Sequence, residues 1–287
     1  MDRLQGMEEL AHAKVNLFLR VLRRREDGFH EIETLIAPIT LHDSLVIEPA
    51  DRLEFYCDQP ALAGDDNLVV RAAGAFFAEI GREPKARLTL RKKIPHGAGL
   101  GGGSSDAAAT LRGLNRFFDA KLSNETLNSL ATKLGSDVPF FLKETTATCR
   151  GRGEIVMPAP LSVSLNLLLL KPEFGVASAW AYSRWHAARK LVSAIYEPQK
   201  FAGITFANDL ERPVFEKFVF LAQIRSWLRQ RPEVAAALMS GSGSTIFAVM
   251  RLNVDAELVA KRAKAELDPE LWTCTCETLE GAALSVP

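Results

Sequence analysis

The chain has 287 residues, enough for two modest domains. Thirty-five Lys and Arg balance 35 Asp and Glu, so its net charge of zero gives no broad basic footprint for nucleic acid or an anionic membrane. No apolar run approaches a membrane span, and the residues from Met1 to Glu9 contain no apolar core of a secretory signal. Met7 is a possible alternative start. Four cysteines, Cys57, Cys149, Cys274 and Cys276, form neither a disulfide framework nor a zinc spacing. A reducing cytoplasm fits this composition.

From Leu10 to Leu22 the chain alternates. Ala11, Ala13, Val15, Leu17, Leu19 and Val21 take one face, and His12, Lys14, Asn16, Phe18 and Arg20 take the other. This predicts a half-buried strand with Lys14 and Asn16 side by side on its polar face. A charged turn follows over Arg23–Gly28, with Phe29 and His30 at its exit. Strands are expected at Leu45–Glu48 and Arg52–Tyr56. Asp65, Asp66 and Asn67 precede a helix from Val69 to about Ile80, with Asn67 and Leu68 at its start.

The alternating stretch Arg87–Arg91 leads into a run of eleven residues: Pro95, His96, Gly97, Ala98, Gly99, Leu100, Gly101, Gly102, Gly103, Ser104 and Ser105. Glycine permits left-handed backbone and close approach to a ligand. A helix start is expected at Asp106, and bare N–H groups feeding a helix N-terminus make an anion site. The anion to expect is a nucleotide phosphate. The run is not a Walker A loop, because no lysine follows its glycines. Gly97, Gly99 and Gly102 match dinucleotide-loop spacing, but a second helix, not a strand, follows the first, over Glu125–Leu134. Ser104 and Ser105 suit either helix capping or phosphate contact. Asp137, ahead of Val138 and Pro139, reads first as an N-cap and also as a candidate base for a hydroxyl.

Around Pro158 the character changes, which gives domains at 7–158 and 159–287. Further strands are expected at Ser164–Leu170, Thr245–Met250 and Trp272–Glu277, and helices at Ala177–Lys190, Val214–Arg229 and Val254–Leu267. Cys274 and Cys276 share a strand face and read as small core residues. A second small-residue segment, Met239–Thr245, holds Gly241, Ser242 and Gly243. Alone it suits a helix C-cap and turn, whereas beside the first loop it suits closure over phosphates. The irregular alternation of helices and strands indicates an α+β protein with largely antiparallel sheets.

Several segments carry one resemblance. Ile94–Asp106 resembles the phosphate loop of the GHMP kinases, which include galactokinase, homoserine kinase and mevalonate kinase. Met239–Thr245 resembles their C-terminal glycine motif. Ala13–Leu17 and Asp27–Thr34, with Gly135–Phe141 and Asn208–Leu210, resemble the branch that phosphorylates a cytidine-diphosphate-linked methylerythritol on the way to isoprenoid precursors. The resemblance covers almost the whole chain from about Glu8.

It implies a ribosomal S5 domain 2-like N-terminal domain and a ferredoxin-like C-terminal domain. It also implies ATP-dependent phosphorylation of the 2-hydroxyl of that substrate, with Mg²⁺ carried on the ATP phosphates. Lys14 and Asp137 are then the catalytic pair, and Pro95 to Ser105 hold the ATP phosphates. Asn67 and Leu68 border the adenine, and Asn16, Phe29 and His30 bind substrate. Phe29 stands where the branch usually has tyrosine; the ring face for stacking is kept and the phenol hydroxyl is lost. Phe174, Trp180 and Tyr182 are candidates for a second wall of the base site. The expected partner is a small molecule, with no nucleic acid or membrane, on a monomer or weak homodimer. Two rivals remain: a GHMP kinase for mevalonate or homoserine, and a non-catalytic nucleotide- or RNA-binding module. An aromatic after Asp27-Gly28 opposes the first, and zero net charge opposes the second.

Overall fold

The computed structural model describes residues 6–192 and 194–279. In chain order its elements begin with the strands β1 (Met7–Arg24), β2 (His30–Pro49) and β3 (Glu54–Cys57). Then come α1 (Leu68–Ile80), β4 (Ala86–Arg91), α2 (Gly102–Phe117), α3 (Asn124–Leu134) and α4 (Val138–Phe141). After them run β5 (Ala147–Gly151), β6 (Ile155–Pro158), β7 (Asn166–Lys171), α5 (Ser178–Arg184), β8 (Gln199–Phe201) and β9 (Ile204–Asn208). The chain continues through α6 (Glu211–Lys217), α7 (Val219–Arg229), β10 (Val234–Met239), β11 (Ile246–Met250), α8 (Ala256–Glu266) and β12 (Trp272–Glu277).

These elements gather into two compact units that do not follow chain order. One comprises the chain up to Ala13, Leu41–Pro95 and Gly101–Glu144. The other comprises Lys14–Thr40, His96–Leu100 and the chain from Thr145. The long strands β1 and β2 therefore contribute to both, and the glycine run is divided after Leu100.

In the first unit β4 pairs antiparallel with β2, Leu45 opposite Leu90 and Ile47 opposite Leu88, and parallel with β3. Alternation puts these four side chains on one face, fully buried together with Phe76, Leu111, Leu114 and Phe140 of the helices. Helix α1 starts as its sequence indicates: the Asn67 side chain accepts from the Val69 N–H at 2.9 Å.

In the second unit β1 pairs parallel with β9, Leu19 opposite Asn208, and β2 pairs antiparallel with β5. A separate four-stranded antiparallel sheet runs β10-β11-β7-β12. The leucine run of β7, Leu167–Leu170, is buried on both faces, as its continuous hydrophobicity requires.

Several expectations are corrected. The helix after the glycine run begins at Gly102, four residues before Asp106. The span expected as one helix over Val214–Arg229 is two, parted at Phe218, whose ψ of 69° leaves the helical region. Helix α5 stops at Arg184, well short of Lys190. Met239–Thr245 joins two antiparallel strands and caps no helix. Cys274 and Cys276 lie on the edge strand β12, half-buried and outside the core.

Candidate active site

The second unit brings Lys14, Asn16, Gly99 and Ser240 together. Lys14 and Asn16 stand two apart on β1 and so share a face. That face is covered, with both residues at most 4% exposed, so the half-buried reading of β1 is corrected here. A buried ammonium needs acceptors. Lys14 Nζ donates to Asn16 Oδ1 at 2.6 Å and to the Gly99 carbonyl at 2.8 Å. Asn16 is itself fixed: its Nδ2 donates to Thr34 Oγ1 at 2.9 Å, and that hydroxyl donates to the Phe18 carbonyl at 2.5 Å. The Gly99 carbonyl accepts a further bond from Ser240 Oγ at 2.9 Å. Lys14 N–H also donates to Leu100 O at 3.0 Å, so the strand holds the start of the glycine run by backbone and side chain alike.

The same unit joins the two glycine segments. Gly99 has φ 74°, and a Cβ there would collide with the Ser240 carbonyl oxygen and stand 2.8 Å from that of Gly243. Only glycine permits both the conformation and the approach. The Thr245 N–H donates to the Ala98 carbonyl at 3.1 Å. Asn208 secures the second segment by donating to the Met239 carbonyl at 2.8 Å and the Gly241 carbonyl at 2.7 Å. Asp209 beside it accepts from the Val21 N–H at 2.9 Å. The Asn208–Leu210 signature thus ties β9, β1 and the glycine turn into one body. Ser242 is 5% exposed, and its hydroxyl lies 2.8 Å from that of Ser178.

In the first unit Gly101, with φ 73°, turns the chain into α2 without a side-chain cap. Gly102, Gly103, Ser104 and Ser105 are therefore the opening turn of the helix, and the capping reading of the two serines is set aside. Ser105 is buried and Ser104 half-buried. The Ser105 N–H already donates to the Gly101 carbonyl at 2.9 Å; the N–H groups of Gly102, Gly103 and Ser104 precede the first intrahelical bond and carry the positive end of the dipole, as an anion requires. Leu68 lies next to the helix opening, its Cδ1 3.6 Å from where a Cβ on Gly103 would stand. Both polar atoms of the Asn67 amide are engaged, one by the Val69 N–H and the other by the Leu62 carbonyl at 2.7 Å.

Asp137 is half-buried, with helical φ and ψ of −86° and −14°, and its side chain caps nothing. Its carboxylate is not spent on the four-residue helix α4, which removes the capping alternative.

Phe29 and His30 lie in the second unit, at the tip between β1 and β2. Phe29 is 49% exposed, with the Arg152 guanidinium 4.6 Å from its ring centre. His30 is stacked on Tyr182 at 5.5 Å, with Trp185 edge-on at 6.1 Å. Burial, then Arg24 and His186, hold its imidazole below the ordinary range, which favours the neutral ring with one donor and one acceptor. Of the three aromatics proposed for a second wall, Tyr182 is beside His30. Phe174 and Trp180 pack on Phe218 instead. Trp185 and Arg152 carry no local sequence signal; their contacts come from segments far along the chain.

Comparison with known proteins now bears on this arrangement. Family models described as the N-terminal and the C-terminal domain of GHMP kinases match residues 67–144 and 187–268. The chain is 37% identical to a 4-diphosphocytidyl-2-C-methyl-D-erythritol kinase of Methylacidiphilum infernorum, over 98% of this chain and 99% of that one. The chain belongs to the GHMP kinase family. A crystal structure of 4-(cytidine 5'-diphospho)-2C-methyl-D-erythritol kinase is 38% identical, with a TM-score of 0.77 over 96% of this chain and 100% of that one. A homoserine kinase from Cytophaga hutchinsonii is 16% identical, with a TM-score of 0.65 over 96% of both, a likeness of fold alone. As a family member this chain is a small-molecule kinase of mixed α and β structure. No helix among the described residues is long and apolar enough to cross a membrane.

Proposed function

We propose that the chain transfers the γ-phosphoryl group of ATP to the 2-hydroxyl of 4-diphosphocytidyl-2-C-methyl-D-erythritol. The observation that carries this reading is the buried Lys14 ammonium, fixed by Asn16 and by the carbonyl of Gly99 inside the glycine run. Phosphoryl transfer needs positioning and charge stabilisation more than covalent help. An ammonium held this way meets developing negative charge without reorganising. Lys14 thereby favours ionisation of the acceptor hydroxyl and meets the γ-phosphate. Asp137 orients that hydroxyl and takes its proton.

The run Pro95 to Ser105, with the α2 N-terminus, receives the ATP phosphates, and Gly241, Ser242 and Gly243 back it. Leu68 borders the adenine by apolar contact; Asn67 shapes that border from its cap. Phe29 stacks on the cytosine, and neutral His30, set by Tyr182 and Trp185, hydrogen-bonds the base edge. Among the described residues no three His, Cys, Asp or Glu side chains gather as a metal cage. Mg²⁺ is assigned to the ATP phosphate oxygens, where it would neutralise charge. The domain division after Pro158 falls between the two matched stretches and is retained as part of the proposal. So are a cytoplasmic location, a monomer or weak homodimer, and the absence of a nucleic-acid partner.

The test is a substrate panel. Purified protein with ATP and Mg²⁺ is offered the cytidyl substrate, mevalonate and homoserine, and product is followed by phosphorus NMR. Phosphorylation of the cytidyl substrate alone supports the reading. Preference for mevalonate or homoserine would reassign the chain within its family.

A further inference from the structure

Behind the opening of α2, in the first unit, lies a group of three charges that the proposed chemistry does not use. The Lys92 side chain, 4% exposed, donates from Nζ to Asp106 Oδ2 at 2.6 Å and to Asp43 Oδ2. Asp43 and Asp106 are buried as deeply. The three come from both sides of the glycine run: Lys92 stands just before it and Asp106 is the fifth residue of α2. Lys92 Nζ lies 3.3 Å from where a Cβ on Gly102 would stand, directly under the first helical turn.

Two carboxylates share one ammonium, and their surroundings differ. Asp43 has three donors: Lys92 on Oδ2, and the Lys93 and Ile94 N–H groups on Oδ1 at 2.5 and 2.8 Å. This is the surrounding of a charged acceptor. Asp106 has only Lys92, and its Oδ1 is buried with no hydrogen-bond partner. A buried carboxylate with an unserved oxygen is the member that carries the proton.

We infer that Asp106 is a proton-linked positioning residue of the phosphate loop, neutral when nucleotide is bound and ionised at the expense of nucleotide affinity. The inference rests on the phosphate-loop reading above. Ionised, Asp106 leaves the cluster with two negative charges against one positive, under the helix end that is to receive phosphates. Neutral, the cluster is balanced and the field of the helix N-terminus is available to the ligand. Burial pushes the Asp106 carboxyl up to about 7, against the opposing pull of Lys92 and with the help of Asp43. Burial pulls Lys92 down, but Asp106 and Asp43 together hold it above its ordinary value, so it stays charged. The other titratable groups facing the cluster are at the end of β3. Asp58 accepts from the Lys92 N–H at 3.0 Å, and the Cys57 thiol is raised above its ordinary value chiefly by burial.

Binding of the non-hydrolysable analogue AMPPNP with Mg²⁺ tests this by calorimetry from pH 6 to 8.5, in buffers of different ionisation enthalpy. The protein should take up part of a proton on binding near pH 7.5. Affinity should fall several-fold toward pH 8.5, at most about ten-fold per pH unit for one linked proton. Asp106→Asn should flatten both responses. A pH response and proton uptake shared unchanged by Asp106→Asn would overturn the inference while leaving the phosphate loop intact. An unmodified protein that binds no nucleotide would overturn the loop reading and the inference with it. Carboxyl-carbon NMR of the unmodified protein gives an arm that needs no variant. One aspartate should titrate near pH 7 and shift upward with AMPPNP; no such aspartate would overturn the assignment.

Discussion

Behind the Met239–Thr245 turn stands Glu211, and behind the opening of α2 stands Asp106. Each is a buried carboxyl whose titration burial pushes up to about 7, against the pull of Lys92 on Asp106 and of Arg225 and Arg229 on Glu211. They differ in how their oxygens are served. Glu211 Oε1 accepts from the Met239 N–H at 2.9 Å and lies 3.2 Å from Arg225 Nε. Arg225 donates from Nε to the Ala237 carbonyl and from Nη1 to the Ile195 carbonyl. That carboxyl is matched by cations and tied into backbone. Asp106 shares Lys92 with Asp43 and has one oxygen without a partner. The carboxyl behind the second glycine segment is thus anchored to backbone and cation, whereas the one behind the first keeps an oxygen unserved. The first is the segment that the proposal gives to the ATP phosphates.

The largest effect expected from breaking this contrast is at the first segment itself. Gly101→Val forces a branched side chain onto a residue at φ 73° where backbone must meet phosphate. Nucleotide affinity should fall beyond the range of calorimetry while the cytidyl substrate still binds. Unchanged affinity would give the loop another purpose.

Next come the two buried carboxyls. Glu211→Ala leaves Arg225 buried without its partner and should cost about 3–5 kcal/mol in chemical denaturation. Asp106→Asn should cost far less, because it matches the neutral acid. The sign of the pH dependence follows from the raised titrations. Between the ordinary carboxyl values and about 7 the folded state binds more protons than the unfolded chain, so these two groups make stability fall as pH rises through that window. Asp106→Asn should remove its share of the fall and leave that of Glu211. Equal losses from both variants would erase the distinction.

The smallest effect lies outside both segments. Phe29→Ala should weaken the cytidyl substrate by about 1–3 kcal/mol, the range of a base–aromatic stack, and Phe29→Tyr should change little. Neither should alter nucleotide affinity. A matching loss for ATP would remove the cytosine assignment.

How much of this was legible in the sequence depends on where each signal resides. The α1 cap, the alternation of β1 and β4, and the glycine run are local, and the structure has them. Burial of Lys14 and Asn16 was not legible. Alternation marks an apolar face but is silent about what covers the other, and here the covering groups are Gly99 and Ser240, 85 residues from Lys14 and 224 from Asn16. Helix α2 starts earlier than its sequence predicts: glycines disfavour helix, yet left-handed Gly101 and the packing of the helix behind it win. The first half of β2 has no strand expectation in the sequence; its residues Ile32–Ile36 are held by β5, a segment more than 100 residues along the chain. Trp185 and Arg152 are the same case as Lys14: the fold alone brings them to His30 and Phe29.

The central claim is that the Lys14 ammonium, held by Asn16 and Gly99, serves phosphoryl transfer. Steady-state kinetics of Lys14→Met beside Asp137→Asn, with ATP and the cytidyl substrate, test it most directly. The account predicts kcat lowered by about a hundred-fold or more in each, the scale of losing a positioned acid–base or charge-stabilising group, with both KM values within a few-fold. A folded Lys14→Met protein with near-normal kcat would contradict it.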